Sequence, residues 1–415
     1  MDLAKLRLPY LVIFYSLLLA GTAIGTHRYT FQPQLHPSTA SAQNYELAKE
    51  LLLGLDPLQA PKMPTEKLFP GYPALLSGYM RAFGSELGTV KLFNGLCWSL
   101  VVPFFFFILL RITKLPELSF AIALVLALHA PLAFFSSLLS SEIPFLLISL
   151  MTIGAIIRAQ EQQRRRWGWV VVAIVGGAGT LYVGGLGLAL VIAGGVHFLT
   201  HRLFREAVVF PLACLGLYAP WWLSNGVLMT DGRPSQQLFT SKANPLELSP
   251  VNLGKWVEGV GEGLSQLISR DLPHVLLGRV TPWHGEAWGW GLGILFLVGM
   301  GFSLVKTSRY RWLLGSYLLI SFTSLVLWPW GAYSRQLLLP LVPFMLYYWL
   351  VGVWQLLGRF WPGIRPEWAL ILISWAAFEL PGLVATAQYP APLLGKEYFQ
   401  EDTSPLGADV GAPVE

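Results

Sequence analysis

The chain of 415 residues is 54% hydrophobic and only 12% charged, with a formal net charge of +5. A soluble domain carries roughly 25% charged residues, so this composition excludes an ordinary soluble enzyme. The basic residues form no stripe interleaved with aromatics, which argues against a nucleic-acid-binding module. Recurring apolar stretches predict instead an all-α polytopic membrane protein, because helices satisfy their own backbone groups in lipid.

Eleven apolar stretches are predicted to cross the membrane. In chain order they cover residues 8–24, 90–110, 117–136, 143–158, 168–183, 185–200, 206–225, 287–305, 312–330, 336–357 and 368–386. The first stretch is interpreted as an uncleaved helix rather than a signal peptide. The glycine-rich pair 168–183 and 185–200 is short, so it is predicted as either a tight hairpin or a single bent element. Close helix packing in lipid explains its glycines better than phosphate binding does.

Basic residues indicate the orientation of these spans. Lysine and arginine cluster in the short loops on one side, which the positive-inside tendency places in the cytoplasm. Two long segments, the first loop (25–89) and the second loop (226–286), are then extracytoplasmic, and in a bacterium the membrane is the inner one. Residues 1–386 are predicted as one transmembrane module, and the acidic tail 387–415 as disordered and extracytoplasmic.

The first loop is predicted to contain a surface helix. Ser38 or Ser41 can cap its N-terminus, and apolar residues then recur at helical spacing as far as about Leu53. Gly54 stands where a helix end favours a left-handed residue. The pattern is typical of an amphipathic helix lying along a membrane.

Two further helices are predicted in the loops. A second apolar run in the first loop, Ala74 to Phe83, follows a proline-rich stretch and ends at Gly84. In the second loop, a helix is predicted to begin at Ser249-Pro250 and to reach about Ile268.

A family resemblance rests on an ordered set of short motifs. They are Ser41-x3-Tyr45-x2-Ala48-x2-Leu51-x2-Gly54, Pro70-Gly71-Tyr72-Pro73, Ser141-Glu142-x-Pro144, Pro220-Trp221 with Asn225, and Tyr333-Ser334-Arg335 before Pro340 and Pro343. The set resembles GT-C membrane glycosyltransferases of the protein mannosyltransferase and aminoarabinose transferase group. The resemblance implies transfer of a sugar from a polyprenyl-phosphate donor to an extracytoplasmic acceptor.

The resemblance also implies a carboxylate that deprotonates the acceptor. The family's usual base is an aspartate about four residues before the tyrosine of the first loop, and this chain has Ser41 at that position. Glu46, Glu50 or Glu142 could replace it. Glu142 is preferred, because it matches an acidic position that the family places at its second outer loop, with Glu46 as the second candidate catalytic residue. A helix-start carboxylate favoured by the helix dipole is the alternative interpretation of Glu142.

Six residues are predicted to bind substrate. They are Ser41, Gln43, Tyr45, Tyr72, His284 and Arg335. Arg335 is the only basic residue in its short extracytoplasmic turn, where a guanidinium can clamp a phosphate in a bidentate manner; an arginine snorkelling to the interface is the alternative. No metal site is assigned, and whether the protein needs a cofactor such as a divalent metal stays open.

Two other functions remain open. The chain could be an inactive relative that binds lipid-linked glycan or scaffolds an envelope complex, or a transporter or flippase. The transporter is disfavoured because no inverted repeat and no pair of broken, charged helices is visible. Location discriminates between these functions, because transferase residues gather at the membrane surface and transporter residues at mid-depth. The sugar, the acceptor and the oligomeric state are not determined by the sequence.

Overall fold

The computed structural model describes residues 3–31, 39–54, 70–228, 250–277, 286–306, 310–327, 334–360, 363 and 366–374, some of them by backbone alone. Within these ranges every regular element is helical, which confirms the all-α prediction. The predicted tail 387–415 lies outside the described residues.

The helices are numbered in chain order. They are α1 (Leu3–Thr30), α2 (Thr39–Leu52), α3 (Gly71–Phe83), α4 (Leu87–Thr113), α5 (Pro116–Leu128), α6 (Ala130–Ser136), α7 (Glu142–Glu161), α8 (Arg166–Val183), α9 (Gly187–Thr200), α10 (Phe204–Leu228), α11 (Pro250–Gln266), α12 (Leu272–Leu276), α13 (Glu286–Lys306), α14 (Arg311–Leu327), α15 (Ser334–Leu338), α16 (Val342–Phe360) and α17 (Pro366–Ser374). Short 3-10 turns, Gln163–Arg165 and Leu339–Leu341, and a π-helical turn, Leu267–Asp271, join neighbouring helices.

The structure confirms a multi-pass membrane protein. Six helical stretches of the described chain are long and apolar enough to span a membrane, and the bent pair α5–α6 makes a seventh if it is one span. Helices α9 and α14 are apolar but shorter. Each of the eleven predicted stretches falls at least in part on a helix, but the count of eleven crossings remains a prediction.

The glycine-rich pair forms a hairpin of two packed helices, α8 and α9. A Cβ on Gly187 would lie 2.5 Å from the backbone of Thr180, and one on Gly177 would lie 2.8 Å from Sγ of Cys214. The glycines therefore permit close helix packing, as predicted.

The stretch predicted as one span over 117–136 is broken at His129, where α5 and α6 meet at 60°. Pro131 has no N–H to give to the carbonyl of Ala127, and Thr26 Oγ1 donates to that carbonyl at 3.0 Å instead. Thr30 Oγ1 likewise donates to the carbonyl of Ala133 at 2.9 Å. The threonines of α1 thus satisfy backbone groups that lipid could not satisfy.

The predicted loop helices are present, although α3 begins at Gly71, three residues before the predicted Ala74. Helix α2 ends at Leu52, and Gly54 has a positive φ of 81°. Helix α3 ends at Phe83 and is followed by Gly84 with a φ of 96°. Helix α3 packs against α2, α4 and α8. In the second loop, α11 starts at Pro250 and continues into the π-helical turn.

A polar network joins three helices at the C-terminal end of α7. Glu161 accepts a hydrogen bond from Arg111 of α4 at 3.0 Å and another from the Tyr310 hydroxyl, directly before α14, at 2.9 Å. Glu142 lies at the opposite end of the same helix. Twenty helical residues separate the two ends by about 30 Å.

Candidate functional site

Glu142 is the first residue of α7, and its side chain is buried with a residue exposure of 8%. Its Oε1 accepts a hydrogen bond from the side-chain amide of Gln336, whereas its buried Oε2 has no hydrogen-bond partner. A buried carboxylate oxygen without a partner is costly, and a bound ligand or proton is one explanation for it. Glu142 is therefore the centre of the candidate site.

The loop that leads into α7 is held by Asn94, a fully buried residue of α4. The Nδ2 of Asn94 donates to the carbonyl of Leu138 at 2.6 Å and to that of Ser140 at 2.8 Å. Only the amide nitrogen can donate to two carbonyls, which fixes the orientation of this side chain. Glu142 follows two residues after the second of these carbonyls.

Tyr72 links the first loop to the same place. It is 1% exposed, and its hydroxyl donates to Oδ1 of Asn94 at 3.4 Å. Burial raises the pKa of the Tyr72 phenol well above its ordinary value, and the negative charge of Glu142 raises that pKa further. The phenol therefore stays protonated and can donate this bond.

The start of α3 fits closely against α8. A Cβ on Gly71 would lie 2.8 Å from the carbonyl oxygen of Tyr182. The Tyr182 hydroxyl in turn donates to the carbonyl of Leu217 in α10 at 2.9 Å. Because Gly71 has no side chain, the start of α3 can approach α8 closely, and Tyr72 is buried between the helices.

The helix that carries Arg335 completes the site. In α15, Gln336 is the next residue after Arg335 and bonds to Glu142, so two regions far apart in sequence meet. The side chain of Arg335 lies outside the described residues. Helix α15 also packs on the π-helical turn Leu267–Asp271 and on α12, which close the second loop.

Other predicted residues lie elsewhere or are not described. In α2, Tyr45 donates to the carbonyl of Ser85 at 2.7 Å, and Glu46 is an exposed residue paired with Lys49 at 3.2 Å. Ser41 and Gln43 belong to α2, but their side chains are not described. His284 lies outside the described residues. The roles assigned to these residues stay predictions.

Sequence reasoning missed several polar residues near this end of the bundle. Gln336 bonds to Glu142, and Asn94 bonds to the loop before it. In the second loop, Asp271 and His274 are 0% and 3% exposed. His129 Nδ1 accepts from the backbone N–H of Leu132, so its Nε2 carries the proton and donates to the carbonyl of Val275 at 2.7 Å. Polar residues inside apolar stretches were the available signal for Asn94 and His129.

Metal binding finds no support in the described part of the chain. No three His, Cys, Asp or Glu side chains are grouped there so as to hold a metal ion. The arrangement that the described residues do offer is a carboxylate, an amide pair and a phenol.

An apolar cleft includes residues of the π-helical turn and of α12, the second-loop segments that pack on α15. Its walls come from α11, the π-helical turn, α13 and α14, and include Leu264, Leu267, Leu297, Phe322 and Val326. Its lining is almost entirely apolar.

No protein-family model matches the chain, and no curated protein matches it by sequence. Among solved structures, it is similar to ArnT from Cupriavidus metallidurans bound to undecaprenyl phosphate, with a TM-score of 0.59 and 14% sequence identity. The superposition covers 92% of this chain and 77% of that one. Similarity at this identity establishes the fold alone. The chain therefore has the GT-C-like polytopic membrane fold of ArnT.

Proposed function

We propose that this protein is a membrane glycosyltransferase that moves a sugar from a polyprenyl-phosphate donor to an extracytoplasmic lipid, glycan or protein, with residues 1–386 acting as one module. The observation that carries the proposal is the buried Oε2 of Glu142, which has no hydrogen-bond partner at the point where α15 and both loops converge. The GT-C-like fold supports it.

Glu142 acts as the general base. Its Oε2 takes the proton of an acceptor hydroxyl while that hydroxyl oxygen bonds to the anomeric carbon of the sugar. The bond between this carbon and the phosphate oxygen breaks, and its electron pair leaves with the polyprenyl phosphate. Attack opposite the leaving group inverts the configuration. Gln336 holds the other oxygen, Oε1, so that Oε2 is the one available.

Arg335 stabilises the departing phosphate. Charge that develops on the leaving group is best balanced by a fixed cation, and a guanidinium meets a phosphate with two parallel hydrogen bonds. Arg335 precedes Gln336 in the chain, so base and clamp are supplied by adjoining elements.

The apolar cleft suits the tail of the donor. Its lining is aliphatic and aromatic, and two of its residues, Leu267 and Leu272, belong to the segments that pack on α15. An isoprenoid chain in the cleft would place its phosphate toward α15. The presence of undecaprenyl phosphate in the ArnT crystal supports a donor of this class.

Lipid mass spectrometry on the gently purified protein tests the proposal. We expect a polyprenyl phosphate or its glycoside to co-purify with the wild type and with Glu142→Gln, and to be depleted in Arg335→Ala. Arg81→Ala is the matched control, because Arg81 is an exposed arginine at the end of α3. Absence of any such lipid from the wild type, under conditions that retain it in ArnT, would overturn the transferase assignment.

A further inference from the structure

Asn94 joins three separate parts of the chain. It belongs to α4, it donates to the carbonyls of Leu138 and Ser140 in the loop before α7, and it accepts from Tyr72 of the first loop. All of these hydrogen bonds are buried. Every hydrogen-bonding atom of this one amide side chain is thus in use.

The α4 backbone at this point has little freedom to shift. A Cβ on the neighbouring Gly95 would overlap the ring of His27, so α1 and α4 are in close contact there. His27 Nδ1 also hydrogen-bonds with Ser136 Oγ at 3.0 Å, at the end of α6. The loop before Glu142 is therefore fixed at its start by His27 and along its length by Asn94.

The carbonyls of Leu138 and Ser140 need these bonds. They lie in an irregular segment, where no helix supplies their donors, and Leu138 and Ser140 are both buried. Loss of the Asn94 amide would leave two buried acceptors without a donor, and the segment would move to regain one. Glu142 begins the helix directly after this segment and would move with it.

We propose that Asn94 is a positioning residue for Glu142, and that the hydrogen bond from the Tyr72 hydroxyl holds the Asn94 side chain in place and so couples the position of the first loop to the carboxylate. The coupling rests on the proposed function only for the chemistry assigned to Glu142. It would also explain how the first loop, which lacks the expected aspartate, still affects the position of Glu142. Reversal of the amide would set its oxygen against two carbonyl oxygens, so these carbonyls select the orientation and the Tyr72 bond stabilises the side chain in it.

A cysteine reporter at Ser141 measures the position of the loop directly. Ser141 is partly exposed and precedes Glu142, whereas the native Cys97 and Cys214 are buried and provide the unreactive background. In the full chain in nanodiscs, we expect Asn94→Ala to raise the rate of modification of Ser141→Cys by a water-soluble methanethiosulfonate about tenfold, since the two buried hydrogen bonds that hold the loop are lost. Ser99→Ala, which removes a bond within α4 alone, should leave the rate unchanged.

The coupling to the first loop is tested by a double-mutant cycle. Tyr72→Phe should raise the reporter rate about threefold in the wild-type background and not at all in the Asn94→Ala background, because its effect passes through Asn94. Tyr72→Phe removes only a hydroxyl, so it tests the link even if Asn94→Ala does not fold. Equal rates in all variants would overturn positioning, and an undiminished Tyr72→Phe effect without Asn94 would overturn the coupling.

Turnover separates this inference from the proposed function. With an undecaprenyl-phosphoryl sugar as the probe, Asn94→Ala should lower kcat at least about tenfold and leave KM within about twofold, because it displaces the base rather than the donor. A reporter response without turnover by any variant, wild type included, would refute the transferase proposal and leave the positioning of Glu142 standing. If Asn94→Ala lowered kcat and the affinity for the donor equally, Asn94 would have only a structural role, and the positioning role would be refuted.

Discussion

The side-chain amide of Gln336 donates a hydrogen bond to Oε1 of Glu142, across 194 positions of the chain. This bond joins the helix that carries Arg335 to the start of α7. The other oxygen of this buried carboxylate, Oε2, has no hydrogen-bond partner and is therefore available to a substrate.

Replacement of Gln336 tests that bond. Gln336→Leu removes the amide that donates to Oε1 of the buried Glu142, so we expect it to destabilise the protein by about 1–3 kcal/mol. The loss should be much smaller when Glu142 is replaced by leucine as well. Thermal unfolding in detergent measures it, with exposed Gln163→Leu as the control; additive effects of the two changes would argue against the contact.

Substitutions of two glycines in α3 are expected to have opposite effects on stability. A Cβ on Gly71 would meet the backbone of Tyr182 at 2.8 Å, whereas one on Gly78 meets nothing within 4 Å. Gly71→Ala should therefore cost about 1–3 kcal/mol of stability, because backbone must shift. Gly78→Ala should be neutral or stabilising by about 0.5–1 kcal/mol. Similar melting temperatures for both variants would contradict the close fit of α3 on α8.

The break at His129 depends on α1. Thr26→Val removes the hydroxyl that serves the carbonyl of Ala127 and should destabilise the protein by about 1 kcal/mol. Thr22→Val is the matched control, because Thr22 Oγ1 bonds within its own helix at an exposed position. The free energy of unfolding of the two variants is compared in mixed micelles. An equal loss in both would show that the Thr26 hydroxyl does not stabilise the bend.

The network at the far end of α7 should affect stability without affecting the donor. Tyr310→Phe deletes the hydrogen bond to Glu161 and is expected to cost about 1 kcal/mol. Because this end lies about 30 Å from Glu142 along the helix, the amount of co-purifying lipid should be unchanged. Depletion of lipid in Tyr310→Phe would mean that the donor site extends to the other membrane face.

Much of the fold was predictable because apolar periodicity acts locally. The loop helices and the left-handed Gly54 follow from nearby residues, whereas the sequence left open whether residues 168–200 form a hairpin or a single bent element. The break at His129 does not, because prolines such as Pro103 lie within continuous helix elsewhere in the chain. What distinguishes Pro131 is the donation by Thr26 of α1, a contact between distant segments.

The site was predictable only in part for the same reason. Glu142 and Tyr72 could be chosen from motifs, but the residues that hold them could not. Asn94 was detectable as an amide inside an apolar stretch. Gln336 has no local signature, since its role arises from a partner in α7.

The central claim is that Glu142 is the base of a sugar transfer. The direct measurement uses wild type and Glu142→Gln reconstituted in liposomes with undecaprenyl-phosphoryl sugars, a panel of hexoses and pentoses radiolabelled in the sugar, and follows label that leaves the lipid. Wild type should release or transfer label from at least one donor, and Glu142→Gln should do so about 10²–10⁴-fold more slowly while still binding it. Equal rates for the two proteins would contradict the account. So would a result in which the wild type removes label from none of the donors.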